Sequence, residues 1–202
     1  YPLSDNALNA ETRQNKTPGK PWKIAFAKTH TWENAFDYAK ESITAFVNKV
    51  SELDDTVVEI AELPESVKHS HIVHQTIYDK TLSYYFQEEL QNPELISPVM
   101  NEIFIRGRKI SVEQYHKALR DQEVITKAMD AFFQKYDVLI SLSTAGEAPP
   151  REETERPDPS LIWTLAHLPV ISAPAFISPG GLPFGVQFAA RKYNDKLLFR
   201  FT

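Results

Sequence analysis

Two apolar strands separated by one amphipathic helix place the strongest constraint on how this chain folds. Trp22–Ala27 (WKIAFA) and Thr56–Ala61 (TVVEIA) are short and apolar, and the second is rich in β-branched residues, as strands are. Between them, apolar residues recur in steps of three and four from Phe36 to Leu53, and Thr31 offers an N-cap oxygen. A strand, a helix and a second strand form the unit of a parallel α/β sheet, because a right-handed crossover brings the strands side by side.

A mostly helical region follows, over about residues 65–136. Glu65–Leu90 is predicted to form one helix, which the prolines Pro93 and Pro98 then interrupt. Ser111 and Gln114 have the spacing of a capping box, which predicts a second helix that runs to about Tyr136. The buried candidates on the first helix are Val67, Ile72, Ile77, Leu82 and Phe86.

A third strand and a long loop come next. Asp137–Leu142 (DVLISL) is apolar almost throughout, which predicts a central parallel strand that is buried on both faces. The polar, proline-rich stretch Ala145–Pro159 is predicted to be an exposed loop, long enough to form a lid or the rim of a site. Ser160–Ala166 is predicted to be a short helix that Ser160 caps.

The chain closes with further strand signals. Val170–Ile177 is apolar but contains Pro174, which cannot donate to a strand ladder, so this segment is predicted to be an edge strand or to hold a bulge. Phe184–Arg191 alternates with Phe184, Val186 and Phe188 on one side, as a strand does. The last piece, Asp195–Thr202, is compatible with a strand or a short helix.

Composition excludes several functional classes. The chain has 202 residues and a net charge of −5, whereas a nucleic-acid-binding domain carries a basic patch and a high pI. No run approaches the roughly 18 apolar residues that a membrane span requires. Cysteine is absent, which excludes disulfides, thiolate nucleophiles and cysteine-ligated metals. The six glycines are scattered, and only Gly180 and Gly181 are adjacent, so no glycine-rich loop is present to hold a phosphate.

The beginning of the chain is polar and irregular. Residues 1–22 start with Tyr1, contain Pro18-Gly19, and lack the charged-then-apolar arrangement of a secretory signal. We interpret them as a lead-in or linker ahead of a single segment over residues 23–202. The start at Tyr1 leads us to expect a further part of the protein upstream. Without cysteine and without a visible signal in these residues, we expect a cytoplasmic protein.

The last third resembles the closing part of the amidase signature family. Tyr136–Pro150 (YDVLISLSTAGEAPP) is similar to the family's YDVLLTPTTPGPAP, and Ser160–Arg191 is similar to its GLPAISVP and GLPVGVQ motifs. The order and the spacing both match. The shared positions are Leu168-Pro169, Ile171-Ser172, Pro174, Gly181-Leu182-Pro183 and Gly185-Val186-Gln187. Upstream, Ile105-Arg106-Gly107 and Lys23–Leu63 resemble earlier family segments, so the resemblance covers about residues 23–198.

The resemblance implies an α/β fold, specifically the C-terminal part of a mixed, largely parallel sheet that is flanked by helices. Four positions depart from the family pattern. Leu142 and Ala145 stand where the family tends to have prolines, and His167 and Phe176 stand where it has glycines. The lost glycines predict either a backbone that needs no positive φ at these positions or a branch of the family that differs there.

The resemblance implies hydrolysis of amides, but the segment that carries the family's catalytic residues has no counterpart in this chain. Members hydrolyse carboxylic amides through a Ser–Ser–Lys arrangement, in which a serine attacks the carbonyl, a neutral lysine moves its proton through a second serine, and glycine-loop N–H groups hold the oxyanion. Those residues lie in a Gly/Ser-rich stretch upstream of the segment that resembles Lys23–Leu63, and nothing in residues 1–22 resembles that stretch. Four later serines do not match the nucleophile motif either: Ser141, Ser143, Ser172 and Ser178. We therefore assign no catalytic residue, and we expect the chain to be inactive without the catalytic half.

The resemblance also implies which residues border the substrate. Thr144 follows the DVLISLS strand at the edge of the sheet, where ligands of open α/β sheets bind. Ser160, Trp163 and Thr164 lie on the short helix that borders the acyl pocket in the family. We predict these four residues as pocket lining for a small-molecule amide. The alternative for Trp163 is a core aromatic, and the alternative for Ser160 is a simple N-cap.

No metal and no cofactor are predicted. His71 and His74 share a helix face and His69 lies nearby, but no carboxylate completes an obvious metal site, so a polar helix surface is favoured. The charge run Arg151–Arg156 is interpreted as a solvated loop rather than a regulatory lid. Gln187 is expected to be a buried amide that is hydrogen-bonded to backbone, and an ordinary surface role is favoured for the arginines that flank Gly107.

Three interpretations of the function remain open. The first is an amide hydrolase whose catalytic half lies upstream. The second is a non-catalytic binding or scaffold module that kept the architecture and lost the chemistry. The third is an unrelated α/β domain that binds a small molecule. An isolated half would expose apolar surface meant for its missing part, so association with the N-terminal half or with a second copy is expected.

Overall fold

The computed structural model describes residues 20–157 and 159–202. The predicted lead-in over residues 1–22 therefore lies mostly outside the described residues, and its last residue already belongs to the first strand. The strands are β1 (Trp22–Phe26), β2 (Thr56–Ile60), β3 (Val138–Leu142), β4 (Val170–Ile177) and β5 (Pro183–Ala190). The α-helices are α1 (Asp37–Ser51), α2 (Ser70–Tyr85), α3 (Pro98–Lys109), α4 (Val112–Phe132), α5 (Leu161–Leu165) and α6 (Asp195–Phe201). Short 3-10 helices cover Trp32–Asn34, Glu65–His69, Glu89–Gln91 and Pro93–Leu95.

The strands form one mixed sheet in the order β2-β1-β3-β5-β4. β1 is parallel to β2 and to β3, while β5 is antiparallel to β3 and to β4. All strands except β5 therefore point the same way, which confirms the predicted α/β class with a largely parallel sheet. β3 is buried along its whole length, as predicted, but only one of its two neighbours is parallel to it.

Helices cover both faces of the sheet. On the first face, α1 and α6 pack on alternate residues of the inner strands, such as Ile24, Ile140 and Val186. On the second face, α2, α4 and α5 pack around Leu139 and Ala189. Because successive side chains of a strand point to opposite faces, one row of apolar residues on each strand serves each layer. The predicted alternation of Phe184, Val186 and Phe188 is confirmed, since all three lie in the first layer.

The edge strand β4 contains the irregularity that its proline predicts. Its register with β5 shifts between Ala173 and Phe176, and Pro174 lies in this interval. Proline lacks the N–H that a regular ladder uses, so the bulge accommodates it at the sheet edge. Of the two structures compatible with the last segment, the helix is observed, as α6.

Two helix predictions are wrong at their boundaries. Thr31 does not cap α1, because its hydroxyl pairs with Thr29 and the chain first makes the 3-10 turn Trp32–Asn34. The helix predicted over 65–90 begins with a 3-10 segment, and α2 ends at Tyr85. Of the residues predicted to be buried here, Val67 and Ile77 pack in the second core layer, but Ile72 and Phe86 are exposed. α2 turns a mainly small and polar face inward: Ser70, Val73, Asp79 and Ser83. The capping box of Ser111 and Gln114 is confirmed, although α4 ends at Phe132.

The turn after α5 contradicts the expectation that residue 167 needs no positive φ. The N–H of Leu168 donates to Trp163 O at 3.0 Å, and the N–H of His167 donates to Thr164 O at 3.2 Å. This pair of hydrogen bonds is a Schellman motif, which requires a left-handed residue at its centre. His167 supplies this left-handed residue, with a φ of 55°.

The surroundings of the His167 side chain shift its titration. Burial and the nearby Lys192 lower the pKa of His167, and the Gln122 amide lies 3.2 Å from the His167 ring nitrogen.

Replacing His167 with glycine should leave the free energy of unfolding unchanged or raise it by up to about 1 kcal/mol. Glycine removes the steric cost of the left-handed conformation, which exceeds its own loss of chain entropy there. Chemical denaturation measures the change. The same substitution at His116, inside α4, serves as the control and should lower stability by roughly 0.5 kcal/mol. A loss at position 167 larger than the loss at position 116 would contradict the steric argument.

Candidate functional site

The sheet has a topological switch point between β1 and β3. These strands are neighbours, yet the chain leaves them toward opposite faces: α1 follows β1 on the first face and α5 follows β3 on the second. Loops that diverge in this way leave a crevice outside the carboxyl ends of the two strands, which is where open α/β sheets bind ligands. The geometry of the backbone therefore marks this edge as the candidate site.

A cavity of about 730 Å³ lies at this edge. The loop after β3 forms most of its wall, Phe36 from the segment after β1 closes one side, and β4 and β5 form the floor. The lining residues are Phe36, the described residues from Ser143 to Pro150, Glu153 to Arg156, Pro159, Ser160, Ser172, Pro174 and Pro183 to Gly185. A cavity of this volume is in the range of small-molecule sites.

Two of the four predicted pocket residues line this cavity. Thr144 stands at its edge and its hydroxyl donates to Gly146 O at 2.7 Å, which bends the loop directly after β3. Ser160 lines the cavity just before α5. The prediction that Ser160 caps α5 is wrong, because its side chain accepts no hydrogen bond from the N–H groups of that helix.

The other two predicted residues lie outside the cavity. α5 turns Trp163 toward the sheet, where it is 0 % exposed in the second core layer. Thr164, the next residue, is exposed and is not among the lining residues of the cavity. Trp163 therefore lies in this structure as a core aromatic residue, which was the alternative to a pocket role.

Trp163 holds a buried glutamine that the sequence singled out. Its indole N–H donates to Gln187 Oε1 at 2.9 Å. Gln187 is buried on β5, in register with Ser141 on one side and Ser172 on the other. The expectation of a buried, hydrogen-bonded amide is correct, but the partner is an indole rather than the backbone. Because Ser172 lines the cavity, this polar row reaches from the core to the cavity floor.

The cavity rim is tied to the neighbouring turn by a carboxylate. The Ser178 hydroxyl donates to Glu147, and the N–H of Leu182 donates back to Ser178 Oγ at 3.1 Å. On its other side, the N–H of Glu147 donates to the Tyr38 hydroxyl at 2.9 Å. Glu147 thus joins the loop after β3 to α1 and to the β4–β5 turn. No sequence signal identified this residue, because its partners are 109 and 31 positions away.

Arg156 fastens the far end of the loop. Its guanidinium lies 3.7 Å from the centre of the Phe36 ring and donates to Asn34 O at 2.6 Å. The charge run Arg151–Arg156 is exposed, as predicted for a solvated loop, but its last residue is anchored. A cation over an aromatic face is attracted by the negative ring quadrupole, so this contact holds the loop over the cavity.

The lining offers hydroxyls and carboxylates but no basic catalytic pair. Ser143, Thr144, Ser160 and Ser172 supply hydrogen-bonding groups, and three glutamates outnumber Arg156. Neither lysine nor histidine is among the described lining residues. A serine needs an adjacent base to become a nucleophile, so the described part of the cavity can bind and orient a ligand but holds no activated serine–lysine pair.

Among the described residues there is no metal site built from three or more side chains and no membrane-spanning helix. Within 20–157 and 159–202, no group of three or more potential ligating side chains could hold a metal ion. No helix in this part of the chain is long and apolar enough to cross a membrane.

Arg106, for which a surface role was favoured, pairs bidentately with the buried Asp79 at 2.7 and 3.2 Å, whereas Arg108 is exposed.

The sequence of this chain is similar to a family model and to curated proteins of amide chemistry. A family model described as Amidase matches residues 2–199. A glutamyl-tRNA(Gln) amidotransferase subunit from Agathobacter rectalis is 32 % identical over 117 residues, which are 54 % of this chain and 23 % of that protein. A putative amidase, AmiD, from Mycobacterium bovis is 30 % identical over 115 residues, 51 % of this chain and 24 % of that protein.

Solved structures show the same fold. A protein from a vestigial complex, described as revealing the origins of an s-triazine catabolic enzyme, superposes with a TM-score of 0.77 at 22 % identity, over 89 % of this chain and 41 % of that one. The corresponding subunit of the Thermotoga maritima glutamyl-tRNA(Gln) amidotransferase gives 0.65 at 22 % identity, over 89 % and 40 %. The chain thus spans about a quarter of the length of these curated relatives and about two fifths of the length of these solved chains.

Proposed function

The chain belongs to the amidase family, and we propose that it forms the C-terminal part of a hydrolase that cleaves carboxylic amides to an acid and an amine or ammonia. The observation that carries this proposal is the family match over residues 2–199, together with a ligand-sized cavity at the switch point of the sheet. The relatives of the chain include a putative amidase and amidotransferase subunits, and the motifs from Tyr136 to Arg191 resemble the closing pattern of the family.

The cavity would bind the acyl part of the amide in this enzyme. Thr144 and Ser160 border it with hydroxyl groups, while Phe36 and several prolines supply apolar surface. This combination suits an acyl chain with few polar groups, because a pocket fixes orientation with a few placed hydrogen bonds on an apolar wall. Trp163 does not contact the acyl group in this proposal. It lies in the second core layer, where its indole N–H orients the side-chain amide of Gln187.

The chemical step would fall to a part of the protein that precedes these residues. A Ser–Ser–Lys arrangement supplies a nucleophile, a proton carrier and a base, and preorganised N–H groups stabilise the tetrahedral oxyanion. Residues 20–202 then complete the sheet and the substrate pocket. Their partners are the catalytic half or another copy of the chain, in line with relatives that are named as subunits or that come from a complex.

Hydrolysis assays with and without the upstream part test the proposal. The protein expressed from its complete coding sequence should release ammonia or amine from a panel of amides with acyl groups of graded size. A fluorophosphonate probe should label a single serine in it. Residues 1–202 alone should give neither hydrolysis nor labelling. Adding the separately expressed upstream part should restore both, because the pocket and the nucleophile then meet.

Substitutions in the cavity locate the acyl pocket. In the complete protein, Thr144→Val should change the ratio of kcat/KM between hydroxyl-bearing acyl groups and matched acyl groups without the hydroxyl by roughly ten-fold, because it replaces a polar group of the pocket by a methyl of similar size. Thr44→Val is the matched control, because the exposed Thr44 also donates its hydroxyl to a backbone carbonyl but lies on α1 outside the cavity. Equal profiles for the two variants would refute the pocket assignment. A complete protein that lacks a labelled serine and hydrolyses no amide would favour the binding or scaffold module instead.

A further inference from the structure

Two histidines from separate elements meet at the carboxyl edge of the sheet. His30 lies in the loop after β1, and His71 lies in the first turn of α2. His30 Nε2 is 2.5 Å from His71 Nδ1, and the two rings are nearly perpendicular, at 81°. Both side chains are solvent-accessible, so this contact is not enforced by a tightly packed core.

The structure selects a different pair from the one that the sequence spacing suggests. His71 and His74 share a helix face, but the His74 ring stacks on Tyr78 at 5.5 Å. The ring nitrogen of His71 instead faces His30, which is 41 residues away in the sequence. Only the fold brings these two imidazoles together.

We propose that His30 and His71 bind one zinc-type divalent ion, with water completing its coordination. Imidazole nitrogen is a preferred ligand of Zn²⁺, Ni²⁺ and Cu²⁺. No third ligating side chain joins the pair among the described residues, so these residues supply two ligands, and water fills the remaining positions. His30 is exposed and His71 is half-buried, so water reaches the pair from the side of His30.

A small movement brings the pair to ligating geometry. With Zn–N bonds of about 2.0–2.1 Å and tetrahedral angles, the two nitrogens would stand about 3.4 Å apart, so they must separate by about 0.9 Å. Rotation of the exposed His30 side chain achieves this. The proton that the facing nitrogens share moves to an outer ring nitrogen by exchange with water, so both rings stay neutral. Burial and the neighbouring His71 lower the pKa of His30, which favours its neutral form.

A bound ion would brace the wall of the cavity. The loop that carries His30 continues into Asn34 and Phe36, which hold Arg156 by a hydrogen bond and a ring contact. Binding at His30 and His71 would therefore fasten this loop to α2. This effect does not depend on amide hydrolysis, so either proposal can fail while the other stands.

Titration of metal-free residues 1–202 with ZnCl₂ tests the site by calorimetry and by equilibrium dialysis. The wild-type chain should bind one Zn²⁺. His30→Ala and His71→Ala should each weaken binding by roughly ten-fold or more, because loss of a direct ligand costs at least as much as loss of an outer-shell partner. Added Zn²⁺ should raise the Tm of the wild type and leave the Tm of both variants unchanged, since an ion that binds the folded state stabilises it.

Two further histidine variants make the result specific. His74→Ala tests the helix-face pair, and His116→Ala tests an exposed histidine on another helix, α4. Both should bind Zn²⁺ as the wild type does. The proposal is overturned if the wild type binds no Zn²⁺, if His30→Ala binds as tightly as the wild type, or if His74→Ala loses binding as His71→Ala does.

Discussion

Replacing Trp163 with alanine should lower the free energy of unfolding by about 3–5 kcal/mol, the range for truncating a large buried aromatic side chain. Trp163 is 0 % exposed and packs between α5 and the sheet in the second core layer. The truncation leaves a cavity there. It also removes the donor to Gln187 Oε1, and an unsatisfied buried acceptor adds to the cost. Urea unfolding, followed by circular dichroism, measures the change.

Trp163→Phe separates the two contributions. Phenylalanine fills most of the volume but cannot donate, so this variant should lose roughly 1–3 kcal/mol, the cost of the orphaned glutamine. Phe199→Ala is the control, because this aromatic residue on α6 is 72 % exposed and should matter by less than about 0.5 kcal/mol. If Trp163→Ala costs no more than Phe199→Ala, the core assignment is wrong.

The same variants decide the remaining prediction about Trp163. In the complete protein, Trp163→Phe should lower stability while leaving the ratios of kcat/KM across an acyl series unchanged, because the indole does not line the cavity. A changed substrate profile at unchanged stability would instead support the pocket role that the family resemblance implies. Stability and specificity are therefore measured on one set of proteins.

The sheet was predictable because its strands carry strong local signals. β3 is a nearly continuous apolar run, β5 alternates with Phe184, Val186 and Phe188 on one side, and the bulge in β4 follows from Pro174 alone. The position of Thr144 was also within reach, since a residue directly after a central parallel strand lies at the edge where ligands bind. Local periodicity and the carboxyl-edge rule thus account for the sheet and for one wall of the site.

Contacts between distant residues account for what the sequence did not show. Ile72 and Phe86 were predicted to be buried but are exposed, whereas the predicted Ile77 does pack in the second core layer. The inward face of α2 instead includes Asp79, which Arg106 of α3 neutralises from 27 residues away. The roles of Glu147 and Arg156 likewise depend on partners on other elements, namely Ser178 and Phe36. At His167, the sequence indicated a missing glycine, but the hydrogen bonds of the turn impose the left-handed conformation all the same. Such pairings need three-dimensional neighbours that no local pattern contains.

A single methyl group at Gly107 should separate two helices. α3 crosses α2 so closely that a Cβ at Gly107 would lie 2.0 Å from Asp79 O and 2.7 Å from Ser83 Oγ. The first neighbour is backbone, which cannot rotate away as a side chain does. Overpacking of this kind costs about 1–3 kcal/mol and more where the surroundings are rigid. Alanine recovers about 1 kcal/mol of helix propensity, so we expect Gly107→Ala to lose about 2 kcal/mol net.

The position of the clash makes this prediction specific to the crossing of α2 and α3. Moving the helices apart also strains the Asp79–Arg106 pair, whose carboxylate is buried and depends on that arginine. Thermal unfolding should show the loss in Gly107→Ala, while Arg108→Ala, on the exposed neighbouring position, should stay within about 0.5 kcal/mol. Gly107→Val should lose more than Gly107→Ala, because its larger side chain forces a wider separation. If Gly107→Ala is instead more stable than the wild type, helix propensity outweighs the contact, and α2 and α3 do not approach as closely as described.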